Sequence, residues 1–280
     1  MRIATLLGLL SLLAVSGPAW GAWAYIPPQA LVDQADYVVL GTLVDVNKET
    51  GQAAIKVEQL LKGAAIEKIP VRWLAERPEG PAPGRDKFYA EGTRAIWLLG
   101  RPEKNGRYSI DHPGRNMGPE RLDRVKAMVA DFQSIKWGKP VNGLAAAVRA
   151  HRSRAVDNSF ELFLAVKNVS DRAITVQTLG GEVKLSFTLT GTDRASQTQV
   201  TPPADFTPRR ETVTLEKGQA VYVGWQTGLN SGTLKPGVKW LVTGRCTIGP
   251  AKPGEETWVG ELQTEPLEIE GPRENWTGDP

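Results

Sequence analysis

Cysteine and histidine are almost absent from this chain of 280 residues, which contains one cysteine and two histidines. A disulfide framework needs cysteine pairs, a Cys-rich zinc site needs several cysteines and a multi-histidine metal centre needs more than two histidines, so the chain excludes all three. Charge of one sign is also lacking, because 34 basic and 31 acidic residues leave a net charge of +3. So small a charge does not predict a nucleic-acid or membrane-surface partner. We therefore expect no metal and no other cofactor.

The first 24 residues have the features of an export signal, in the expected order. Arg2 precedes an apolar run over 3–15, Gly17-Pro18 breaks a helix, and Ala22-Trp23-Ala24 has the small-x-small spacing that a signal peptidase accepts. An uncleaved membrane anchor is the alternative, since about 20 apolar residues span a bilayer. The helix breaker and the cleavage spacing favour the signal. We predict cleavage after residue 24, no integral membrane segment after cleavage, and a periplasmic or extracellular location.

Residues 25–137 carry short runs in which apolar and polar side chains alternate, which is the period of β-strands. Turn residues at 47–51 lie between two such runs and predict a hairpin, and residues 103–106 predict a second one. Residues 76–87 contain three prolines and two glycines and predict a long irregular loop.

Two segments of the same half predict helical structure. Residues 28–35 predict one short helical turn. Pro119 stands where a helix would begin, and apolar residues follow it at spacings of three and four. These apolar residues are Leu122, Val125, Val129 and Phe132. We expect this helix to pack its apolar stripe on the first sheet.

Residues 138–271 consist of about seven strictly alternating runs separated by polar turns, which predicts an antiparallel β-sandwich. Gly138 and Pro140 mark the boundary between the two domains, and 272–280 form a polar tail. The single cysteine, Cys246, falls on the apolar parity of one run. We expect it to be a small buried residue of the core.

Three stretches of the first half resemble bacterial secreted domains of the netrin and tissue-metalloproteinase-inhibitor type. They are LVDQADYVVLGTL at 31–43, VEQLLKG at 57–63 and GTRAIWLL at 92–99. The resemblance implies a five-stranded OB-like barrel with a flanking helix over about residues 28 to 135. Inhibitory members of that family place a disulfide-bonded N-terminal cysteine against a target's zinc. This chain has no cysteine near Tyr25, so that mechanism of protease inhibition does not carry over.

Three stretches of the second half are similar to immunoglobulin-like modules of exported bacterial proteins. They are LAVKNVSD at 164–171, LEKG at 215–218 and LKPG at 234–237. The resemblance implies a binding or spacer module without catalytic residues. Asn168-Val169-Ser170 also matches the acceptor sequence for N-glycosylation.

Motifs of enzymatic chemistry are missing. The chain has no phosphate-binding glycine loop, no G-x-S-x-G and no H-E-x-x-H. Ser109, Asp111 and His112 offer the residue types of a catalytic triad, but side chains so close in sequence on a strand or turn do not converge. We therefore predict no catalytic residue.

Two groups of residues are candidates for binding. Trp258 and Trp276 are the tryptophans that we expect to be exposed, where indole rings stack on sugars or anchor an interface. The basic residues Arg149, Arg152 and Arg154 form the second group, which would meet an anionic polymer or an acidic partner. A solvated strand edge is the alternative explanation for the basic group.

Together these observations predict an exported, non-catalytic, two-domain β-rich protein. Its OB-like domain at 25–137 and immunoglobulin-like domain at 138–271 would present a surface to an envelope protein or polysaccharide. The alternative is an inhibitor or accessory of an extracytoplasmic hydrolase that uses the loop at 76–87, with a hydrolase itself less favoured.

Overall fold

The structure is a computed structural model that describes ten segments of the chain. They are residues 28–73, 89–110, 115–152, 160–179, 183–192, 196–201, 211–229, 234–235, 237–250 and 256–271. The predicted signal at 1–24, the loop at 76–87 and the tail at 272–280 lie outside them. The protein is mainly β with two short helices, which confirms the predicted fold class at that level. Among the described helices, none is long and apolar enough to cross a membrane.

The described part of the first module, within residues 28–137, contains two α-helices and six strands, with a 3-10 turn at Pro119–Arg121 before the second helix. They are α1 (Pro28–Gln34), β1 (Tyr37–Asn47), β2 (Gln52–Lys62), β3 (Lys68–Arg72), β4 (Arg94–Leu99), β5 (Tyr108–Ser109), β6 (Asn116–Met117) and α2 (Leu122–Gln133). The strands form one sheet in the order β5-β3-β2-β1-β4-β6, which curls into a half-barrel. Its neighbours pair antiparallel, except for the parallel pair of β3 with β5.

The hairpin predicted at 47–51 is confirmed, and the hairpin predicted at 103–106 is reduced to its turn and a single antiparallel bridge. β1 and β2 pair antiparallel across the turn at 47–51. At 103–106 the turn forms, with the Glu103 amide donating to the Arg107 carbonyl at 2.7 Å, but β5 then pairs in parallel with β3. Pro102 has no N–H to continue an antiparallel ladder, so only one bridge to Tyr108 forms before the chain joins the edge of β3.

The helices cover one face of this sheet. Val125 and Val129 of α2 pack with Leu31 and Val32 of α1 against the apolar side chains of β1 and β4. This confirms the predicted stripe and its packing on the sheet. A separate core fills the concave face, where Trp97 and Ile55 belong to the fully buried residues. The first module therefore has an apolar layer on both sides of its sheet.

In the second module, from residue 138 to 271, the described residues form ten strands. They are β7 (Leu144–Arg152), β8 (Phe160–Asn168), β9 (Ile174–Leu179), β10 (Val183–Gly191), β11 (Gln197–Val200), β12 (Glu211–Leu215), β13 (Ala220–Leu229), β14 (Lys239–Ile248), β15 (Gly260–Gln263) and β16 (Leu267–Glu270). They form a five-stranded sheet, β11-β10-β14-β15 with β16 also on β14, a three-stranded sheet, β13-β8-β7, and the pair β12-β9.

All three sheets of the second module contribute to one apolar core. Leu164 of β8, Val176 of β9 and Phe187 of β10 belong to it. Cys246 of β14 lies in the same core and is fully buried, as predicted, and burial raises the pKa of its thiol to about 12. The cysteine is therefore a core residue and not a reactive thiol.

The connection between the modules is packed. The Gly138 amide donates to the Ala146 carbonyl at 2.8 Å, and a side chain at position 138 would collide with the Gln263 carbonyl. Beside it, the ring of Trp137 meets the ring of Phe132 edge to face at 6.2 Å. The predicted boundary at Gly138 is thus held by contacts from both modules.

Candidate functional site

A buried polar cluster joins α1 to the second module, and its centre is the carboxylate of Asp33. Arg149 Nε on β7 donates to Asp33 Oδ2 at 2.7 Å, and the Tyr222 hydroxyl on β13 donates to the same oxygen at 2.6 Å. Gln29 Nε2 donates to Oδ1 at 2.6 Å. Arg149 Nη2 also binds Asp131 Oδ2 of α2 at 2.5 Å. One carboxylate thereby links both helices of the first module to two strands of the second.

Lys62 ties the end of α1 to the rest of the first module. Its ammonium donates to the carbonyls of Val32 and Asp33 at 2.9 and 2.8 Å, which lie in the last turn of α1. The same ammonium lies 3.9 Å from the centre of the Phe132 ring. Burial lowers the pKa of Lys62 to about 8, while the carboxylates of Asp33 and Asp36 act in the opposite direction. The N–H groups of the Lys62 ammonium therefore cap the C-terminal end of α1.

His151 extends the cluster along β7. Its Nε2 lies 3.2 Å from the Tyr222 oxygen. The Tyr222 hydroxyl donates its proton to Asp33, so its oxygen acts as the acceptor toward His151. The proton of that second hydrogen bond is therefore on His151 Nε2. Burial lowers the pKa of His151 to about 4 and raises the pKa of Tyr222 well above 10. Near neutral pH both groups are therefore uncharged, and the cluster binds the modules together instead of exchanging protons.

The predicted basic surface is wrong for Arg149. We expected an exposed cluster, but Arg149 is only 9% exposed and pairs with two carboxylates. The reason is that α1 covers the face of β7 from which this side chain projects. Arg152 ends β7, but its side chain is not among the described features, and Arg154 lies outside the described residues. The burial of Arg149 therefore removes this one residue from the predicted basic surface.

The predicted exposure of Trp258 is also wrong, because this residue is 8% exposed and belongs to the core of the second module. Its backbone amide donates to the Thr175 carbonyl at 2.8 Å. Its ring folds over Gly260, where a Cβ would lie 2.8 Å from the indole, so a larger residue would push the ring away. Trp276 and His112 lie outside the described residues.

The outer face of the five-stranded sheet is a surface that the sequence analysis missed. Six side chains occupy two rows across β11, β10 and β14, and we call them the threonine face. The rows are Gln199, Thr188, Thr243 and Gln197, Thr190, Leu241. The alternate residues Phe187, Leu189 and Val242 point into the core. Leu241 is 39% exposed and is the one large apolar side chain in the two rows.

The charges beside the threonine face are paired with each other. Lys239 Nζ binds Glu268 at 2.7 Å, and Arg245 Nη2 binds Glu261 at 2.7 Å. The five polar side chains of the face make no hydrogen bond to the part of the chain that the structure describes. Hydroxyl and amide groups are therefore available there, and the two flanking cations of β14 are already compensated, while Lys184 is exposed farther along β10.

Metal ligands are not grouped in the described segments. Within them, no set of three or more histidine, cysteine, aspartate or glutamate side chains is placed to hold a metal ion. The carboxylates of Asp33 and Asp131 share the guanidinium of Arg149, which contacts both of them.

No protein-family model and no curated protein matches this chain. Three solved structures are similar to about half of it, at low identity. They are ApaA from Bordetella pertussis (12% identity, TM-score 0.29, 49% of this chain and 98% of that one), the structural-genomics target SoR45 (12%, 0.27, 49% and 94%) and AvmM, which catalyses macrocyclization in alchivemycin A biosynthesis (11%, 0.23, 51% and 98%). At such TM-scores the similarity carries no argument about fold or function.

Proposed function

We propose that this chain is an exported, non-catalytic binding protein of the cell envelope and that it binds through the threonine face. In this proposal the first module is an OB-like barrel of the netrin and tissue-metalloproteinase-inhibitor type. The second module is an immunoglobulin-like sandwich. The mature protein acts in the periplasm or outside the cell.

The architecture supports this division of roles. A half-barrel sheet with helices on its outer face is compatible with an OB-like barrel, and antiparallel sheets around one core are compatible with a sandwich. The three-stranded sheet of the second module is occupied, because its Arg149 and Tyr222 bind Asp33 of α1. By contrast, no hydrogen bond or ion pair joins β10, β11 or β14 of the five-stranded sheet to the described residues of the first module.

The observation that carries the proposal is the exposure of Leu241 within two rows of unbonded polar side chains. Alternate residues of β10 and β14 are buried in the core. The residues between them face outward and present hydrogen-bonding groups around Leu241. The two rows therefore place hydroxyl and amide groups around an apolar side chain, so a ligand with both hydroxyls and apolar surface can meet both kinds of group there.

A sedimentation assay tests the proposal. The mature protein, from residue 25 onward, is mixed with purified envelope material from the producing cells and pelleted. We expect it to pellet with the envelope and Leu241→Glu to stay in the supernatant. The matched control is Val169→Glu, because Val169 is 41% exposed in a turn away from this sheet, against 39% for Leu241. Equal sedimentation of both variants, or none by the unaltered protein, would overturn the proposal.

A further inference from the structure

We infer that the ligand of the threonine face is an uncharged polysaccharide. This inference rests on the proposed function, since it names the chemical class that the same face recognises. It follows from the hydrogen-bonding groups of the face, from its charge and from the side chains that it lacks.

The polar groups of the face suit a ligand rich in hydroxyls. Threonine hydroxyls both donate and accept, and glutamine amides do both through separate atoms. Thr188, Thr190 and Thr243 supply three such hydroxyls, and Gln197 and Gln199 supply two amides. By contrast, the Thr175 and Thr214 hydroxyls elsewhere in the module bond each other at 2.9 Å. The hydroxyls and amides of the threonine face therefore have no partner in the described residues. Sugar hydroxyls, which also donate and accept, can pair with them.

The arrangement of these groups is regular in two directions. Neighbouring strands are about 4.8 Å apart, and alternate residues along a strand are about 7 Å apart. The registers Thr188↔Gln199 and Thr188↔Thr243 align one row across three strands, and Thr190 aligns the second row in the same way. An extended polymer with repeating hydroxyls can therefore meet several groups at once, so that weak contacts add up.

The charge of the surface disfavours an ionic ligand. The six residues of the threonine face carry no charge, and the nearest cations, Lys239 and Arg245, each bind a glutamate. An anionic polymer would have to break these pairs, and a cationic one would meet carboxylates that are already bound. A neutral ligand needs neither change.

The composition of the face disfavours a protein ligand. Binding energy between proteins is concentrated in tryptophan, tyrosine and arginine, whereas leucine, serine and threonine seldom carry it. The threonine face contains none of the first three residue types. The face therefore consists of side chains that seldom carry the binding energy between proteins.

Fractionated envelope material distinguishes these ligands. Envelope polysaccharide freed of protein is passed over an anion exchanger, which separates an unretained neutral fraction from a retained anionic one. Both fractions and the extracted envelope proteins are immobilised, and binding of the mature protein is measured between about 50 and 500 mM NaCl. We expect binding to the neutral fraction that does not change with salt.

Two variants assign that binding to the face. Leu241→Glu and the double variant Thr188→Ala with Thr243→Ala are each expected to bind the neutral fraction about tenfold more weakly. Val169→Glu is expected to bind as the unaltered protein does. The urea midpoint of each variant shows that it is folded.

The possible outcomes separate this inference from the proposed function. Binding to the anionic or the protein fraction that Leu241→Glu weakens would overturn the polysaccharide inference and leave the proposed function standing. Binding to no fraction would overturn both. Binding to the neutral fraction that neither face variant weakens would also overturn both, because the ligand would then sit elsewhere.

Discussion

The carboxylate of Asp33 and the guanidinium of Arg149 lie 116 positions apart in the chain, yet they form a buried ion pair with a 2.7 Å contact. The side chains are 1% and 10% exposed, respectively. Two neutral groups, from Tyr222 and Gln29, also donate to the carboxylate. Because the pair is out of water, removing one partner leaves a charge that the remaining donors compensate only in part. This relationship makes the stability of the two modules interdependent.

Replacement of Arg149 by methionine is expected to lower the free energy of unfolding by about 3 to 5 kcal/mol, because a buried carboxylate loses its cation. Methionine keeps the apolar part of the side chain, so the loss reports mainly on charge. Chemical denaturation of the mature protein measures it.

The control for this variant is Lys239→Met, which breaks a pair of the same 2.7 Å length on the surface. There the side chains are 60% and 52% exposed, so water and salt replace the lost partner. We expect a loss below about 1 kcal/mol. Similar losses in both variants would show that burial of the Asp33 pair has no energetic consequence.

The pH dependence of stability is expected to contain a contribution from His151. Burial lowers the pKa of this histidine from 6.5 to about 4 in the folded protein. Four groups surround this histidine. The charge of Arg149 opposes its protonation, the charges of Asp33 and Asp131 favour it, and the fourth group is the Tyr222 hydroxyl. The unfolded chain therefore takes up the proton first as the pH falls. The contribution of the neutral His151 to the stability of the folded protein is complete above pH 6.5 and is lost as the pH falls through 4.

The variant His151→Gln isolates this contribution, because Asp36 acts oppositely in the same range. Burial raises the pKa of Asp36 to about 6, which favours the folded state as the pH falls. The stability of the unaltered protein minus that of the variant is expected to fall by about 3 kcal/mol between pH 7 and pH 4, at about 1.4 kcal/mol per pKa unit. Urea titrations at several pH values measure it, and a constant difference would contradict the assignment.

Asn168 is expected to be a structural residue and to carry no glycan, although it begins a glycosylation sequence. Its Nδ2 donates to the carbonyls of Arg172 and Leu215 at 2.7 and 2.8 Å, and its Oδ1 accepts from the Ser170 amide at 2.9 Å. It is fully buried. Asn168→Ala is expected to lose about 1 to 3 kcal/mol, because three backbone groups lose their partner.

Asn105→Ala is the control, since this exposed asparagine also accepts from a nearby amide, that of Arg107, at 2.9 Å. Water replaces the lost contact there, so a loss below about 1 kcal/mol is expected. Equal losses at the two positions in urea denaturation, or a glycan on Asn168 in the intact mass after secretion from eukaryotic cells, would refute the structural role.

Alternation predicted most strands, because one buried face per strand is visible as a period of two. The two runs on either side of the turn at 47–51 are strands, as the sequence predicts. The partner of β5 was not predictable, since its pairing with β3 depends on a distant edge and on Pro102. Periodicity describes one segment, whereas pairing depends on which edges the fold leaves open.

The polar cluster escaped prediction for a similar reason. Arg149 and His151 occupy the polar parity of β7, which normally faces water. On the same parity Ala145 and Ala147 are almost fully buried, so α1 and its neighbours cover this face as well. The run of alanines was the one available signal, because small residues on an outward face indicate close packing. The acidic partner, Asp33, gave no sign of its distant role.

Export itself is open to a direct test in the producing cell. The signal hypothesis predicts that the protein recovered from the envelope or the medium begins at Tyr25, because signal peptidase cleaves after the small-x-small triplet. N-terminal sequencing and intact mass measure this. Ala22→Arg with Ala24→Arg is expected to block cleavage and leave the protein on the membrane, whereas Trp23→Leu, which changes only the tolerant central position, is expected to be processed normally. Recovery of the unaltered protein from the cytosol, with residues 1–24 still attached, would exclude a role in the envelope, and it would do so whatever the threonine face binds in vitro.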